Sequence, residues 1–531
     1  MTSHGSHPKL QRSGNERPRS QGLVMNALHD EATPAERARV VAGRHATGLE
    51  ITLLTIWAAP YLLITAGRFY RSTMWFQTSY NEGWNASFAA LFFHGQPLYY
   101  PSSALITNNY PPLSFILVSW MMQIIPDAIF AGRALAAAAL IGIVSLIMLI
   151  LWAIVRDGLA AFAGGMIFFS YMAISGDGGV GVDDPQVLCI SVLLLGLYIK
   201  VRLGARPAAD IVSALVMVAG LFIKHNYIAL PLALGVWLLI FDRKAGLRFI
   251  ATGIGAGLCG LLAAWVAFGP MFFSSLLAPR YWSLGLGARQ VLAWLGPINP
   301  LLILAAIPIA LYPRDRMILL FGGYAIAAIL VGCLVALGEG TSQSAMYEVV
   351  IAASLAIGVL LARLGHPPML RCAYLRVWII VAAALSTALA PGLYGAKDVL
   401  LLPSWLALQR QRESESLKAV RFIAAQPGPV LCSTPALCYW AGKSFDLDSF
   451  NFGEAVEMRR RPLSDLTDRI LSGYYSTIEL FVSKDDPSVP ASSVTNIGPA
   501  IRAAVARLYR EVPVNNGPSS FWVRKASGTA E

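Results

Sequence analysis

The sequence predicts an all-α polytopic membrane bundle, with about 11–13 transmembrane helices and a small external α/β C-terminal domain. Three observations predict it. Of 531 residues, 56% are hydrophobic and only 13% charged, more apolar material than a soluble core can hold, so it must face lipid. The apolar residues gather in runs of roughly 20, the length that spans ~30 Å of hydrocarbon as a helix. After residue 393, charges of both signs return among short strand-like pieces.

Residues 1–47 carry seven Arg or Lys among Ser, Gly and Pro, with no apolar period, and are expected to form a disordered basic cytoplasmic arm. Apolar runs then fall at 49–66, 110–125, 129–155, 159–175, 187–199, 210–223, 227–241, 249–269, 290–311, 317–337, 345–362 and 377–393. The first reads as a retained signal anchor, and the membrane module as residues 48–393. Between the first two runs, residues 67–109 are rich in Tyr, Trp, Asn and Ser, and Trp84–Phe93 is expected to lie as an amphipathic helix on the bilayer surface. In the tail, 394–531, a helix is expected near 404–425 and strands at Pro429–Cys432, Ile478–Ser483 and Phe521–Lys525. Cys432 and Cys438 stand close enough in sequence to bridge in an oxidising compartment, with two free thiols as the alternative.

Net charge is +11, which here reflects membrane orientation and not a nucleic-acid partner, because no zinc-finger or RNA-binding signature accompanies it. Lys200, Arg202 and Arg206, then Arg243, Lys244 and Arg248, then Arg314 and Arg316, then Arg363, Arg371 and Arg376 fall between alternate runs and mark cytoplasmic loops. The opposite loops, and everything after 393, are external. An inside N-terminus and an outside C-terminus require an odd number of crossings, 11 or 13. The 110–125 run, short and opened by two prolines, is the irregular one.

The ionisable groups avoid the runs. Glu348 is the only carboxylate clearly inside one, whereas ion-coupled transporters keep such groups near the midplane. Glu82, Asp177, Asp183, Asp184, Lys224, His225, Arg280, Arg289 and Glu339 instead map to the external loops, an arrangement that suits an enzyme with a lipid substrate. Glycines 176, 178, 179 and 181 fit no nucleotide-binding fingerprint and read as a flexible connector. His94 and Arg133 have no evident partner.

YNEGWNA at 80–86, GQPLYY at 95–100 and NNYPPL at 108–113 together resemble the GT-C superfamily of membrane glycosyltransferases, which includes protein O-mannosyltransferases and the aminoarabinose transferase of lipid A. The resemblance matches Glu82 to the acid of the first external loop, Gly95, Leu98 and Tyr99 to a G-x-x-L-Y element, and Tyr110–Leu113 to a Y/K-P-P-L element. It matches DDPQ at 183–186 to a second acidic site, and Lys224 to a basic residue near the lipid phosphate. It is good over residues 50–240 and general beyond.

The implied activity is transfer of a sugar from a polyprenyl-phosphate donor, with inversion, to an external glycan, lipid or protein acceptor, in the bacterial inner membrane with the C-terminal domain periplasmic. A lipid phosphate leaves as a stable anion, so the site needs cations, expected from Lys224 with His225 or Arg280. The acceptor hydroxyl needs a base, expected to be Glu82 first and Asp183 second. Tyr99 and Tyr110 are expected against the sugar, with Asp184 also in contact with substrate. A divalent cation, Mg or Mn, would take its oxygens from Glu82 with Asp183 or Asp184. Structural readings stand beside these: Asp183 or Asp184 as the cap of a helix begun by Pro185, and Lys224 snorkelling at a helix end. The alternative function is a glycolipid or oligosaccharide flippase without chemistry.

Overall fold

A computed structural model describes residues 34–174, 179–365, 370–389, 400–481 and 499–525. Asp177, the outer part of the basic arm and part of the glycine-rich connector lie outside the described residues.

Helix α1, Pro34–Arg71, begins inside the stretch expected to be disordered, because Pro at its start and the helix formers of PAERARVVAG nucleate a turn well before the apolar run. Helix α2, Tyr80–Phe93, occupies the first loop, and α3, Leu113–Met121, is only nine residues long, too short to cross a bilayer. There follow α4, Ala128–Val155; α5, Gly158–Ile174; α6, Pro185–Leu203; α7, Pro207–Ile223; α8, Ala229–Phe241; and α9, Arg243–Phe268. Next come α10, Met271–Leu276; α11, Leu284–Leu311; α12, Arg316–Val335; α13, Tyr347–Gly365; and α14, Leu370–Leu389. Arg289, expected in a loop, falls within α11.

Among the described residues, seven helices are long and apolar enough to cross a membrane: 47–71 of α1, α4, α6, α9, α11, α12 and Gln343–Gly365, which contains α13. Four shorter apolar helices, α5, α7, α8 and Tyr374–Thr387 of α14, join them among the described residues. The chain is a multi-pass membrane protein. Helix α13 is apolar on every side, as a helix surrounded by other helices must be, and it packs against α4, α5, α11, α12 and α14. Helix α9 turns large apolar side chains outward, including Leu258, Leu262 and Trp265, as a lipid-facing helix does.

The two ends of the bundle differ in chemistry. At one end, Asp210 is fully buried and accepts from Lys200 at 2.6 Å and Arg248 at 2.8 Å. Arg376 pairs with Asp157 and Glu50, and Arg363 with Asp315, so the basic clusters there are tied down by acids. The N-terminus of α6 and the C-terminus of α7 lie at the other end, where the candidate site forms.

After α14 the chain builds α15, Leu402–Ala424, then β1, Val430–Cys432, α16, Pro435–Trp440, α17, Ser449–Glu457, α18, Ser464–Leu471, β2, Thr477–Phe481, α19, Pro499–Leu508, β3, Tyr509–Val512, and β4, Ser519–Arg524. The strands form one sheet in the order β1-β2-β4-β3, with β1 parallel to β2 and the other pairs antiparallel. Strand β3 was not expected from YREV, whose charges give it little strand signal on its own; pairing with β4 decides it. Cys432 and Cys438 are disulfide-bonded.

The domain roofs the first loop. Helix α2 is not amphipathic on a bilayer surface: Glu82 through Ala89 are all buried, enclosed by α3, α4 and α16. Gly83 permits this contact, since a Cβ there would stand 2.3 Å from the backbone nitrogen of Ala436. Asp448 fastens the same joint. Its carboxylate accepts from Tyr80 Oη and Trp84 Nε1, both at 2.9 Å, and its backbone N–H donates to the Leu105 carbonyl.

Candidate active site

The local sequence sets the helix ends on which the site is built. Asp184 is the N-cap of α6, accepting from the Gln186 N–H at 3.4 Å, and Pro185 opens the first turn, where no N–H is needed. Lys224 ends α7, its N–H still bonded to the Gly220 carbonyl, and extended backbone then carries the chain away from the helix. Glu82 lies in the first turn of α2, and Tyr110 precedes the short α3.

Glu82, expected as the base, is already engaged. Both its oxygens receive the Arg133 guanidinium, Nε at 2.7 Å and Nη2 at 3.0 Å, and they also accept the backbone N–H groups of Thr78 at 2.6 Å and Asp183 at 3.3 Å. Arg133 spends its remaining donors on the carbonyls of Ser72, Met74 and Phe76. This pair is sealed from solvent and welds the first loop to α4 and to the loop before α6. A carboxylate so saturated has no free lone pair directed at an acceptor or a cation, contrary to the expectation of a base and metal ligand. The partner that Arg133 lacked in the sequence is Glu82. An Arg at the head of an apolar run is the signal that could have found it, because buried cations require partners.

Asp183 and Asp184 follow this clamp. Gly132 on α4 leaves room for the Asp183 carboxyl, for a Cβ there would lie 2.1 Å from its Cγ. Asp183 Oδ2 is buried without a protein partner. Burial, then the neighbouring Glu82 and Asp184 charges, hold its carboxyl well above the usual carboxylate range. Asp184 is raised chiefly by burial, while the Lys224 cation opposes the rise. Its Oδ2 also accepts from Asn81 Nδ2 at 3.3 Å. Both aspartates line a small cavity of about 20 Å³, water-sized, with Asn85 and Ser114.

A larger cavity of about 280 Å³ lies beside it, walled by Asn81, Tyr110, Gln186, Lys224, His225, Arg280 and Trp282 among others. Lys224 does not snorkel. It is buried, with Nζ 3.1 Å from the centre of the Tyr110 ring, and burial pushes its ammonium down to about 7 against the pull of Asp184. Arg280 is fixed by donating to the Glu339 carbonyl at 2.8 Å. Three expected phosphate contacts, Lys224, His225 and Arg280, thus share one cavity with Tyr110.

Tyr99 does not join them. Its hydroxyl donates to the Tyr110 carbonyl at 2.9 Å, and its ring packs on Phe268 and Phe272, so it supports Tyr110 and cannot stack on a sugar. Trp84 is likewise packed against Phe88, Tyr110 and Phe115. Nor do Glu82, Asp183 and Asp184 make a cation site together, since Glu82 is consumed by Arg133. Among the described residues no three His, Cys, Asp or Glu side chains gather to hold a metal ion. Asn81, Asn109 and Gln186, which lie in YNEGWNA, NNYPPL and DDPQ with no role expected of their amides, form part of the cavity wall together with Asn226.

No protein-family model matches the chain, and no curated protein matches its sequence. Solved structures do match. The crystal structure of ArnT from Cupriavidus metallidurans in the apo state superposes with a TM-score of 0.60 at 15% identity, covering 91% of this chain and 99% of that one. The same protein bound to undecaprenyl phosphate superposes with a TM-score of 0.57 at 16% identity, covering 89% and 98%.

The chain has the fold of these two structures. Within this fold, the clustered cations and carboxylates occupy the end of the bundle that the C-terminal domain covers, and the ion-paired basic loops occupy the other.

Proposed function

We propose that the protein transfers a sugar from a polyprenyl-phosphate donor to a hydroxyl-bearing acceptor, with inversion at the anomeric carbon. The observation that carries this reading is the meeting of Lys224 and Arg280 in one cavity, with the Asp184 carboxylate close enough to interact with the Lys224 cation. The fold shared with a protein crystallised with undecaprenyl phosphate supports a lipid phosphate as the anion. Lys224 and Arg280 bind that phosphate and stabilise the negative charge that grows on it as the glycosidic C–O bond breaks. No general acid is needed, because the leaving group is a phosphate.

Asp184 takes the proton of the acceptor hydroxyl as its oxygen attacks the anomeric carbon. A carboxyl raised by burial is a better base near neutral pH than an ordinary one, and the Asn81 amide and the Gln186 main-chain N–H tie Asp184 to the cavity wall. Glu82 acts through Arg133 by fixing the loop that carries Asp183 and Asp184. A single displacement forms no covalent intermediate, so the product is inverted. The acceptor approaches from the external face of a bacterial inner membrane, with the paired basic loops in the cytoplasm.

Purified protein in lipid nanodiscs is incubated with a radiolabelled polyprenyl-phosphate sugar and a cell-envelope fraction as acceptor. Labelled glycan in the acceptor fraction, with free polyprenyl phosphate left in the lipid, is the expected result. Labelled lipid that crosses a bilayer intact, with no phosphate released, would identify a flippase instead.

A further inference from the structure

We propose that the donor sugar is an uncharged polyhydroxy sugar whose hydroxyls are read by the amides of Gln186 and Asn226. This deepens the reading above and rests on it. The large cavity holds two kinds of polar side chain beyond its aromatic and hydroxyl groups. The cations Lys224 and Arg280 are taken up by the phosphate, and four amides, Asn81, Asn109, Gln186 and Asn226, remain for whatever the phosphate carries. Two of these amides are unsatisfied. Gln186 is 7% exposed, and its Oε1 has no protein partner; Asn226 Oδ1 is buried and equally unpartnered. A buried amide oxygen without a partner is unfavourable, so the wall suits a ligand that supplies one.

Charge decides which ligand. No Asp or Glu among the described residues forms the wall of this cavity. Asp184 lines the small cavity, and its two oxygens accept from Asn81 and Gln186. An ammonium-bearing sugar would find two cations on this wall and beside it one carboxylate, Asp184, and pairing with that carboxylate would block the base that the acceptor hydroxyl needs. A uronic acid keeps its ring hydroxyls, but its carboxylate donates no hydrogen bond, so an amide oxygen facing that group stays unmet, and the carboxylate competes with the phosphate for Lys224 and Arg280. A hydroxyl both donates and accepts, so it pairs with either end of an amide. Neutral polyols meet every requirement of the wall at once.

The test measures competition against labelled polyprenyl phosphate on full-length protein in nanodiscs. The competitors are three polyprenyl-phosphate sugars of the same lipid: a neutral hexose, a 4-amino-4-deoxypentose and a hexuronic acid. The neutral sugar is expected to bind at least about tenfold more tightly than either charged one. Gln186→Leu and Asn226→Leu should each erase about three- to tenfold of that advantage and leave the affinity for bare polyprenyl phosphate unchanged. Equal or tighter binding of the amino sugar or the uronic acid overturns the proposal while the transferase reading stands. Leucine variants that weaken bare lipid and neutral sugar alike also overturn it, because the amides would then serve the fold. Failure of bare polyprenyl phosphate itself to bind saturably overturns the underlying reading, and the inference with it. The comparison of sugars on the unaltered protein decides the matter even where a leucine variant does not fold.

Discussion

Glu82 and Arg133, 51 positions apart, form a sealed two-point ion pair, with Nε and Nη2 of the arginine donating to the two carboxylate oxygens. Each charge is compensated only by the other and by main-chain groups, so removing either leaves its partner buried and unpaired. Glu82→Gln and Arg133→Met should each lower stability by about 3–5 kcal/mol. The measurement is the Tm and the monodisperse yield in detergent. Residual transfer activity should track the folded fraction, which separates a positioning carboxylate from a base.

Asp184→Asn should behave in the opposite way. Asn caps a helix as well as Asp does, so α6 keeps its start and Tm stays within about 1 kcal/mol of the unaltered protein's stability. Loss of the proton acceptor should reduce the turnover rate by about 10²–10⁴-fold, with polyprenyl-phosphate binding retained. Single-turnover transfer and lipid binding on the same preparation check both halves.

Lys224 predicts a pH dependence. Its ammonium is depressed to about 7 by burial, and only the charged form attracts the phosphate. Below that value the cation is present before the lipid arrives. Above it, binding must take up a proton, so affinity for polyprenyl phosphate should fall by up to about tenfold per pH unit as pH rises from 7 to 9. Lys224→Arg keeps its charge throughout and should flatten the profile. A series of binding isotherms across that range reads the slope.

Tyr110 and Tyr99 should separate by role. Tyr110→Phe keeps the ring beneath Lys224 Nζ and should change lipid affinity little, whereas Tyr110→Leu removes it and weakens binding by about 0.5–2 kcal/mol. Tyr99→Phe loses one hydrogen bond to the Tyr110 carbonyl. It should reduce stability by about 1 kcal/mol without a comparable loss in affinity. Thermal melts and binding isotherms on the three variants supply the comparison.

Much of this arrangement was legible in one dimension because its determinants are local. Apolar runs located the membrane helices, Asp184–Pro185 located the start of α6, and Lys224 at the end of an apolar run marked a helix terminus. Strands β1, β2 and β4 carry their own apolar signal, whereas β3 depends on β4 for its identity. The placing of these basic residues at helix ends was also readable, and the structure adds that acids such as Asp210 hold them in place.

The composition and the spacing of its runs by themselves determined that this chain crosses a membrane many times and gathers its ionisable residues at helix ends, since lipid tolerates few charges and requires backbone hydrogen bonds to close within each helix. Only the tertiary structure decided which of those residues are free to act. Glu82 is neutralised by an arginine on another helix, Tyr99 is turned into a support, the first-loop helix is enclosed by the C-terminal domain, and Gln186 and Asn226 are left with unmet hydrogen bonds. Such outcomes depend on contacts between segments far apart in the chain, and a side chain's availability is set by what packs against it and not by its neighbours in sequence.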